Sequence, residues 1–224
     1  MKPYYDHAGI SIYNCDYREI LPSIEADFLC TDPPYELVAS GGGIAAKREY
    51  FNGIHRQLDC GFDFQLLSKW PRWMAFCSKD SLVGLLTFAD SLPGRWQLVT
   101  WNKPNPTPLM NGNYLPDTEY IVHKFESSKG LYGGYEDRSR FIIHPAEQNG
   151  SMGHPTIKPL SVMERLLKTG SDKGQTIVDP FCGSGTTLVA AKNLGRRAVG
   201  IEIEERFCEL AAKRLQQEVF SFPT

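Results

Sequence analysis

An apolar run, Ala26-Asp-Phe-Leu-Cys-Thr31, leads directly into Asp32-Pro33-Pro34-Tyr35. Each residue of that tetrad has a chemical use. Proline fixes its own φ and carries no backbone N–H, so two in a row stiffen the corner and hold the Pro33 carbonyl in one direction. The Asp32 carboxylate and that carbonyl can then accept hydrogen bonds from one planar NH₂ group. Tyr35 offers a flat face on which a ring can stack. Together they suit a grip on the exocyclic amine of a nucleobase. A plainer reading stands beside it, a strand ended by prolines and a turn.

A second constellation lies far down the chain, at Thr176-Ile-Val-Asp-Pro-Phe-Cys-Gly-Ser-Gly-Thr-Thr187. A buried strand ends at Asp179, a turn with Gly183 and Gly185 follows, and a helix begins. Glycines there let backbone approach a ligand, and a helix start offers unpaired N–H groups. The third glycine of the dinucleotide fingerprint is absent, because Leu188 stands three residues after Gly185. That counts against a pyrophosphate cofactor and a nicotinamide-dependent oxidoreductase. The next apolar run ends Val199-Gly-Ile-Glu202, which puts a carboxylate where it can accept both ribose hydroxyls of a nucleoside. The alternative is a surface acid suited to a helix N-terminus, since Glu204 and Glu205 follow.

These residues need a sheet to carry them. Seven apolar runs read as strands: Ile10–Tyr13, Ala26–Thr31, Trp73–Ser78, Trp96–Trp101, Glu119–His123, Thr176–Asp179 and Ala198–Ile203. Most are continuous rather than alternating, as in strands covered on both faces. Helical patterns lie between them, at Asp80–Leu92, Ser161–Thr169, Gly185–Asn193 and Glu204–Val219. Ser161 and Glu164 fit a capping box for the second of these, and Gly170 fits its stop. The expected fold class is α/β with a mostly parallel sheet and helices on both faces. The expected organisation is a single domain over residues 1–224. Two excursions leave it, a loop at about 36–63 and an insertion at about 102–152 rich in Pro, Gly, Asn and Tyr.

Composition narrows the class. Hydrophobic content of 42% and charged content of 22% are ordinary for a globular chain. No apolar run approaches the ~18 residues that cross a bilayer, and Met-Lys-Pro-Tyr-Tyr-Asp has no signal-peptide core. A cytoplasmic location is expected. The six cysteines (Cys15, Cys30, Cys60, Cys77, Cys182, Cys208) form no C-x-x-C pair and no zinc spacing, so no metal and reduced thiols are expected. Net charge is −2, so bulk charge does not announce a nucleic acid and any basic surface is local.

The two constellations together resemble the S-adenosyl-L-methionine-dependent amino-methyltransferases of DNA, which act on adenine N6 or cytosine N4. Asp32-Pro-Pro-Tyr35 precedes Phe181-x-Gly-x-Gly185, as in the family's circularly permuted β class. The resemblance covers the amino-terminal third and residues 154–215. It implies a Rossmann-like methyltransferase fold with a seven-stranded sheet, and S-adenosyl-L-methionine as methyl donor. By resemblance, Asp32, Pro33, Pro34 and Tyr35 hold the target base, which must leave the duplex stack. The implied cofactor residues are Asp16 at the adenine, Glu202 at the ribose, and Asp179 with Phe181, Gly183, Ser184, Gly185, Thr186 and Thr187 around the methionine part. Thr156 and Lys158, in His154-Pro-Thr-Ile-Lys-Pro159, lie near the methionine carboxylate, and Asp32 borders the cofactor too. Residue by residue, plainer roles stand alongside: Asp16 as a helix cap, His154–Pro159 as a proline-rich lead-in, Trp101 as core.

Asp at the first position of the tetrad is typical of the family's adenine enzymes, and Ser is commoner among its cytosine enzymes. N6-adenine in a specific site of double-stranded DNA is therefore the expected target, with N4-cytosine as the alternative. The DNA contact is the weakest signal. Residues 101–150 hold five Lys/Arg against six Asp/Glu, a net −1. Lys47, Arg48, His55 and Arg56, beside Gly41–Gly43, form a better local cluster and are assigned to the DNA backbone. An exposed charged loop explains them equally. Resemblance also implies a homodimer and a restriction–modification setting. Rival classes are a non-catalytic S-adenosyl-methionine or DNA-binding module, and a methyltransferase for RNA or a protein amide.

Overall fold

The computed structural model describes residues 1–33, 62–106, 108, 114–147 and 157–217. Pro34, Tyr35, Gly41–Gly43, Lys47, Arg48, His55, Arg56, Cys60, His154 and Thr156 lie outside the described residues. The elements run β1 (Tyr5–His7), β2 (Ile10–Asn14), α1 (Tyr17–Ile20), β3 (Phe28–Thr31), β4 (Trp73–Cys77), α2 (Lys79–Ser91) and β5 (Arg95–Asn102). They continue with β6 (Thr118–Phe125), β7 (Phe141–Ile143), α3 (Leu160–Gly170), β8 (Thr176–Asp179), α4 (Thr186–Asn193), β9 (Arg197–Glu202) and α5 (Glu205–Gln216).

One sheet takes all these strands, in the order β1-β2-β9-β8-β3-β4-β6-β5-β7. β2, β9, β8, β3 and β4 are mutually parallel. β6 runs antiparallel between β4 and β5, and β7 pairs parallel with β5. The seven expected strands form the unbroken interior of the sheet. The count of seven is corrected to nine among the described residues, because a three-residue strand is added at each edge. β1 joins β2 through Ala8 and Gly9, both at positive φ (51° and 79°), the geometry of a two-residue hairpin. β6 and β7 both come from within residues 102–152.

The pleat sends alternate residues of each strand to opposite faces. Phe28, Cys30, Met74, Phe76, Val99 and Ile177 pack with α3, α4 and α5 on one face. Leu29, Trp73, Ala75, Cys77, Val122 and Val178 pack with Tyr17 of α1 and Leu85 and Ala89 of α2 on the other. Helices on both faces explain why the strands read as continuous apolar runs.

Two helix-end expectations are corrected. The cap of α3 is Pro159, which makes no side-chain bond, and Ser161 and Glu164 form no capping box. Glu164 instead accepts from the Asn193 amide at 2.9 Å, tying α3 to α4. Gly170 is the last helical residue rather than the stop, and Ser171 caps. A Cβ on Gly170 would sit 2.2 Å from the Phe28 ring, so the glycine there serves close packing of helix on strand.

Candidate functional site

The sheet brings four of the singled-out acids, Asp16, Asp32, Asp179 and Glu202, to one rim. Parallel strands place their carboxyl ends together, and the chain reverses its direction of travel across the sheet between β8 and β3. Open α/β sheets bind ligands outside the strand ends at such a point. Asp32 follows β3 and Asp179 ends β8, and the two strands are direct neighbours (Leu29 pairs with Val178). Glu202 ends β9 beside β8, and Asp16 follows β2 beside β9 (Asn14 pairs with Glu202).

The turn after β8 is held from several sides. Gly185 has φ 79°, and a Cβ there would meet the Ala211 Cβ of α5 at 2.7 Å, so position 185 needs glycine on both counts. The Gly183 N–H donates to Glu202 Oε2 at 3.0 Å, and the Glu204 N–H donates to Glu202 Oε1 at 2.9 Å. A carboxylate has about four acceptor sites, so Glu202 keeps capacity to accept from a ligand as well. Burial raises its pKa against those N–H bonds. Asn14 donates to the Glu202 and Ile203 carbonyls at 3.0 and 2.9 Å and fixes this strand end.

Ser184 and Thr186 are committed elsewhere. The Arg214 Nη1 of α5 donates to the Ser184 carbonyl, the Ser184 hydroxyl and the Thr186 hydroxyl at 2.7, 3.1 and 3.0 Å. Arg214 was not legible as a site residue, since a lone basic residue on a charged helix face carries no signal. The Phe181 ring packs against Tyr17 at 4.8 Å and Phe62 at 5.5 Å, on the α1 side. Asp16 caps α1 in a capping box with Glu19 and is gripped by Arg18, whose bond lowers its pKa. The plain role of Asp16 is therefore real, and its position at the rim holds as well.

Asp179 is 3% exposed. Burial pushes its carboxyl up to about 7, against hydrogen bonds from Thr187 and the Phe181 N–H, with Asp32 and Glu202 adding repulsion. A buried carboxyl in this state suits a cationic ligand, which would let it ionise. In the ligand-free protein the folded state holds a proton that the unfolded state, with its pKa at 3.8, releases between about pH 4 and 7. The contribution to stability is thus lost as pH rises through that window. Asp179→Asn is expected to raise the melting temperature by several degrees at pH 8, and the gain should vanish near pH 4. Thermal scans across that range check it. A gain independent of pH would mean that Asp179 ionises normally.

The Asp32 corner holds a charge network that spacing did not reveal. Lys158, leading into α3, is ion-paired with Asp32 and lies 3.3 Å from Glu119 Oε2. Lys103, just past β5, pairs with Glu119 at 2.6 Å. The Lys158 side chain is only 10% exposed and also sits 4.9 Å over the Phe76 ring. Burial opposes its charge, but Asp32 and Glu119 outweigh that and raise its pKa. Burial likewise opposes ionisation of Glu119, and Lys158 and Lys103 together hold its pKa low. Lys158 thus meets Asp32 directly, whereas resemblance implies a place for it near the methionine carboxylate. Glu119 is the second residue of β6, the antiparallel strand, which is why it shares this rim. No group of three or more metal-binding side chains occurs among the described residues, and no described helix is long and apolar enough to cross a membrane.

The chain is similar to known proteins. The chain is 28% identical to the type II methyltransferase M2.DpnII of Streptococcus pneumoniae, over 97% of this chain and 93% of that protein. It is 24% identical to M.HinfI of Haemophilus influenzae, over 88% and 65%. Among solved structures it superposes on the M1.HpyAVI–SAM complex with TM-score 0.68 and 26% identity, over 93% of this chain and all of that one. The cytosine-N4-specific PvuII DNA methyltransferase gives TM-score 0.72 at 15% identity, over 98% and 91%, a likeness of fold. The sequence profile of the DNA methylase family, which groups N6 and N4 amino-methyltransferases, matches residues 26–213. The chain belongs to that family.

Proposed function

We propose that this DNA amino-methyltransferase modifies adenine N6 in a specific site of double-stranded DNA, with Asp32 as its central catalytic residue. S-adenosyl-L-methionine is its methyl donor. The observation that carries the residue assignment is the placing of Asp32, Asp179 and Glu202 at the ends of the adjacent strands β3, β8 and β9.

When bound, S-adenosyl-L-methionine supplies an electrophilic methyl group on a sulfonium. Glu202 would accept from the ribose hydroxyls, Asp16 would serve the adenine end, and Asp179 with Thr187 would hold the positively charged methionine part. Because Arg214 takes the Ser184 and Thr186 hydroxyls, the turn from Phe181 to Thr187 contributes backbone N–H groups and close approach. Thr156 completes this side on the strength of its place in the sequence.

Asp32 and the Pro33 carbonyl accept from the target NH₂. Those bonds favour a pyramidal nitrogen and stabilise the charge it gains as the C–N bond forms, which is electrostatic preorganisation. Holding the amine in line with the methyl group supplies proximity. Pro34 stiffens the corner and Tyr35 stacks on the flipped base. With Lys158 paired to it, Asp32 serves as acceptor and charge stabiliser, and the amine's proton passes to water.

Lys47, Arg48 and Arg56 are the proposed contact to the DNA backbone. A homodimer in the cytoplasm completes the reading. Support for the dimer is the apolar sheet edge, where Phe141 and Ile143 of β7 are 56% and 66% exposed. Mass spectrometry of nucleosides from unmethylated DNA treated with enzyme and S-adenosyl-L-methionine tests the target. N6-methyladenine is expected, N4-methylcytosine would reassign the base, and no modified nucleoside would end the proposal.

A further inference from the structure

We infer that a cavity between β5, β6, β7 and α3 binds a phosphate group, at a site separate from the methyl-transfer corner. The cavity has a volume of about 340 Å³, and Arg95, Arg138, Arg140 and Arg165 line it. Asp137 is the only acidic residue of the lining, so three positive charges are in surplus. The hydrogen bonds of the four arginines run to neutral acceptors. Arg95 donates to the Ser127 carbonyl at 2.8 Å and Arg140 to Gln97 Oε1 at 3.1 Å. Arg138 donates to the Leu131 and Gly133 carbonyls, and Arg165 to the Asp137 and Ser139 carbonyls. Asp137 Oδ2 accepts from the Gly134 N–H at 3.1 Å. Guanidinium forks match phosphate geometry, and these four hold spare donors.

A second observation is independent of the charges. His123 also lines the cavity, is 2% exposed, and its Nε2 has no hydrogen-bond partner. Buried polar atoms without partners are costly and uncommon. Burial keeps the ring neutral, and in the tautomer with its proton on Nε2 that N–H would donate to a phosphate oxygen.

The site is distinct from the methyl-transfer corner by strand geometry. Glu119 of the Asp32 network is the second residue of β6, whereas His123 and Phe125 of the cavity lie toward its other end. At about 3.3 Å per residue the separation along the strand is about 13–20 Å. That is about four to six base-pair rises at 3.4 Å each. A duplex whose flipped base enters the Asp32 corner carries backbone phosphates at that range, so one of them would reach the cavity. A free phosphate or mononucleotide carries the same chemistry. The four arginines come from β5, α3 and the segment before β7, so no stretch of sequence looks basic.

The double variant Arg95→Gln, Arg140→Gln tests the inference. Both side chains are exposed and neither belongs to the methyl-transfer machinery. Calorimetry with inorganic phosphate is one arm, and affinity for a random duplex of about 30 base pairs across a salt series is the other. If the source is DNA, the salt slope of log K falls in magnitude by about one to two in the variant. If the source is a free phosphate, the wild type binds phosphate at millimolar concentration or below, the variant binds at least about tenfold more weakly, and the salt slope is unchanged. The inference is overturned if both proteins respond alike in both arms. Methyl transfer that persists in that case leaves the proposed reaction untouched.

Discussion

An Asp32→Ala enzyme is expected to bind S-adenosyl-L-methionine with little change and to transfer methyl groups about 10³-fold more slowly, or not at all. The magnitude follows from what one preorganised hydrogen-bonding group contributes where charge develops, about 3–4 kcal/mol, at about 1.4 kcal/mol per tenfold in rate. Folding is not the weak point of this test. Lys158 loses one partner but keeps Glu119 at 3.3 Å, so no buried charge is stranded. Asp32→Asn separates shape from charge, because the amide still accepts one hydrogen bond. Its turnover should fall between the wild type and the alanine variant. Single-turnover transfer of tritiated methyl, with cofactor affinity measured by calorimetry on the same preparations, reads both quantities. Near-normal turnover in the alanine variant would remove Asp32 from the catalytic role. A large loss of cofactor affinity with normal single-turnover chemistry would leave it only at the cofactor's border.

Glu202→Ala should act on the other half of the site. Losing two hydroxyl-to-carboxylate hydrogen bonds, each worth about 1.5–3 kcal/mol, predicts a rise in the cofactor dissociation constant of about a hundredfold or more. Part of that loss is indirect. The Glu202 carboxylate also accepts from the Gly183 and Glu204 N–H groups, so alanine loosens the turn it anchors. Glu202→Gln keeps an acceptor for the turn and should lose less affinity. At saturating cofactor both variants should recover most of their turnover, since neither touches the target amine. Unchanged affinity by calorimetry would falsify the ribose assignment.

The strand pattern was legible because burial on both faces writes itself as continuous apolar runs. The central strands β3, β4 and β8 follow it most fully. The two edge strands do not. Tyr5-Asp6-His7 is mostly exposed, and its turn is Ala8-Gly9 rather than Asn-Gly or Asp-Gly, so neither apolar patterning nor turn chemistry marks it. Phe141-Ile-Ile143 is apolar but short, and two of its three side chains are exposed. The capping-box motif at Ser161 failed for a local reason: Pro159 already ends the lead-in, and Glu164 finds a better partner in Asn193.

At the site, the residue types alone pointed to the proposed chemistry: a carboxylate-and-carbonyl corner suited to an amine, a glycine turn and a strand-end acid suited to a nucleoside. Those signals are local, because rigidity, positive φ and strand termination act within a few residues. Tertiary structure alone decided which charges meet. Lys158 reaches Asp32 across 126 positions of sequence, and Glu119 joins them only because β6 runs antiparallel. The four arginines converge from separate elements, while the segment that holds two of them counts as net acidic. Electrostatic contacts depend on distance in space, and a linear chain does not record that distance until the sheet order is set.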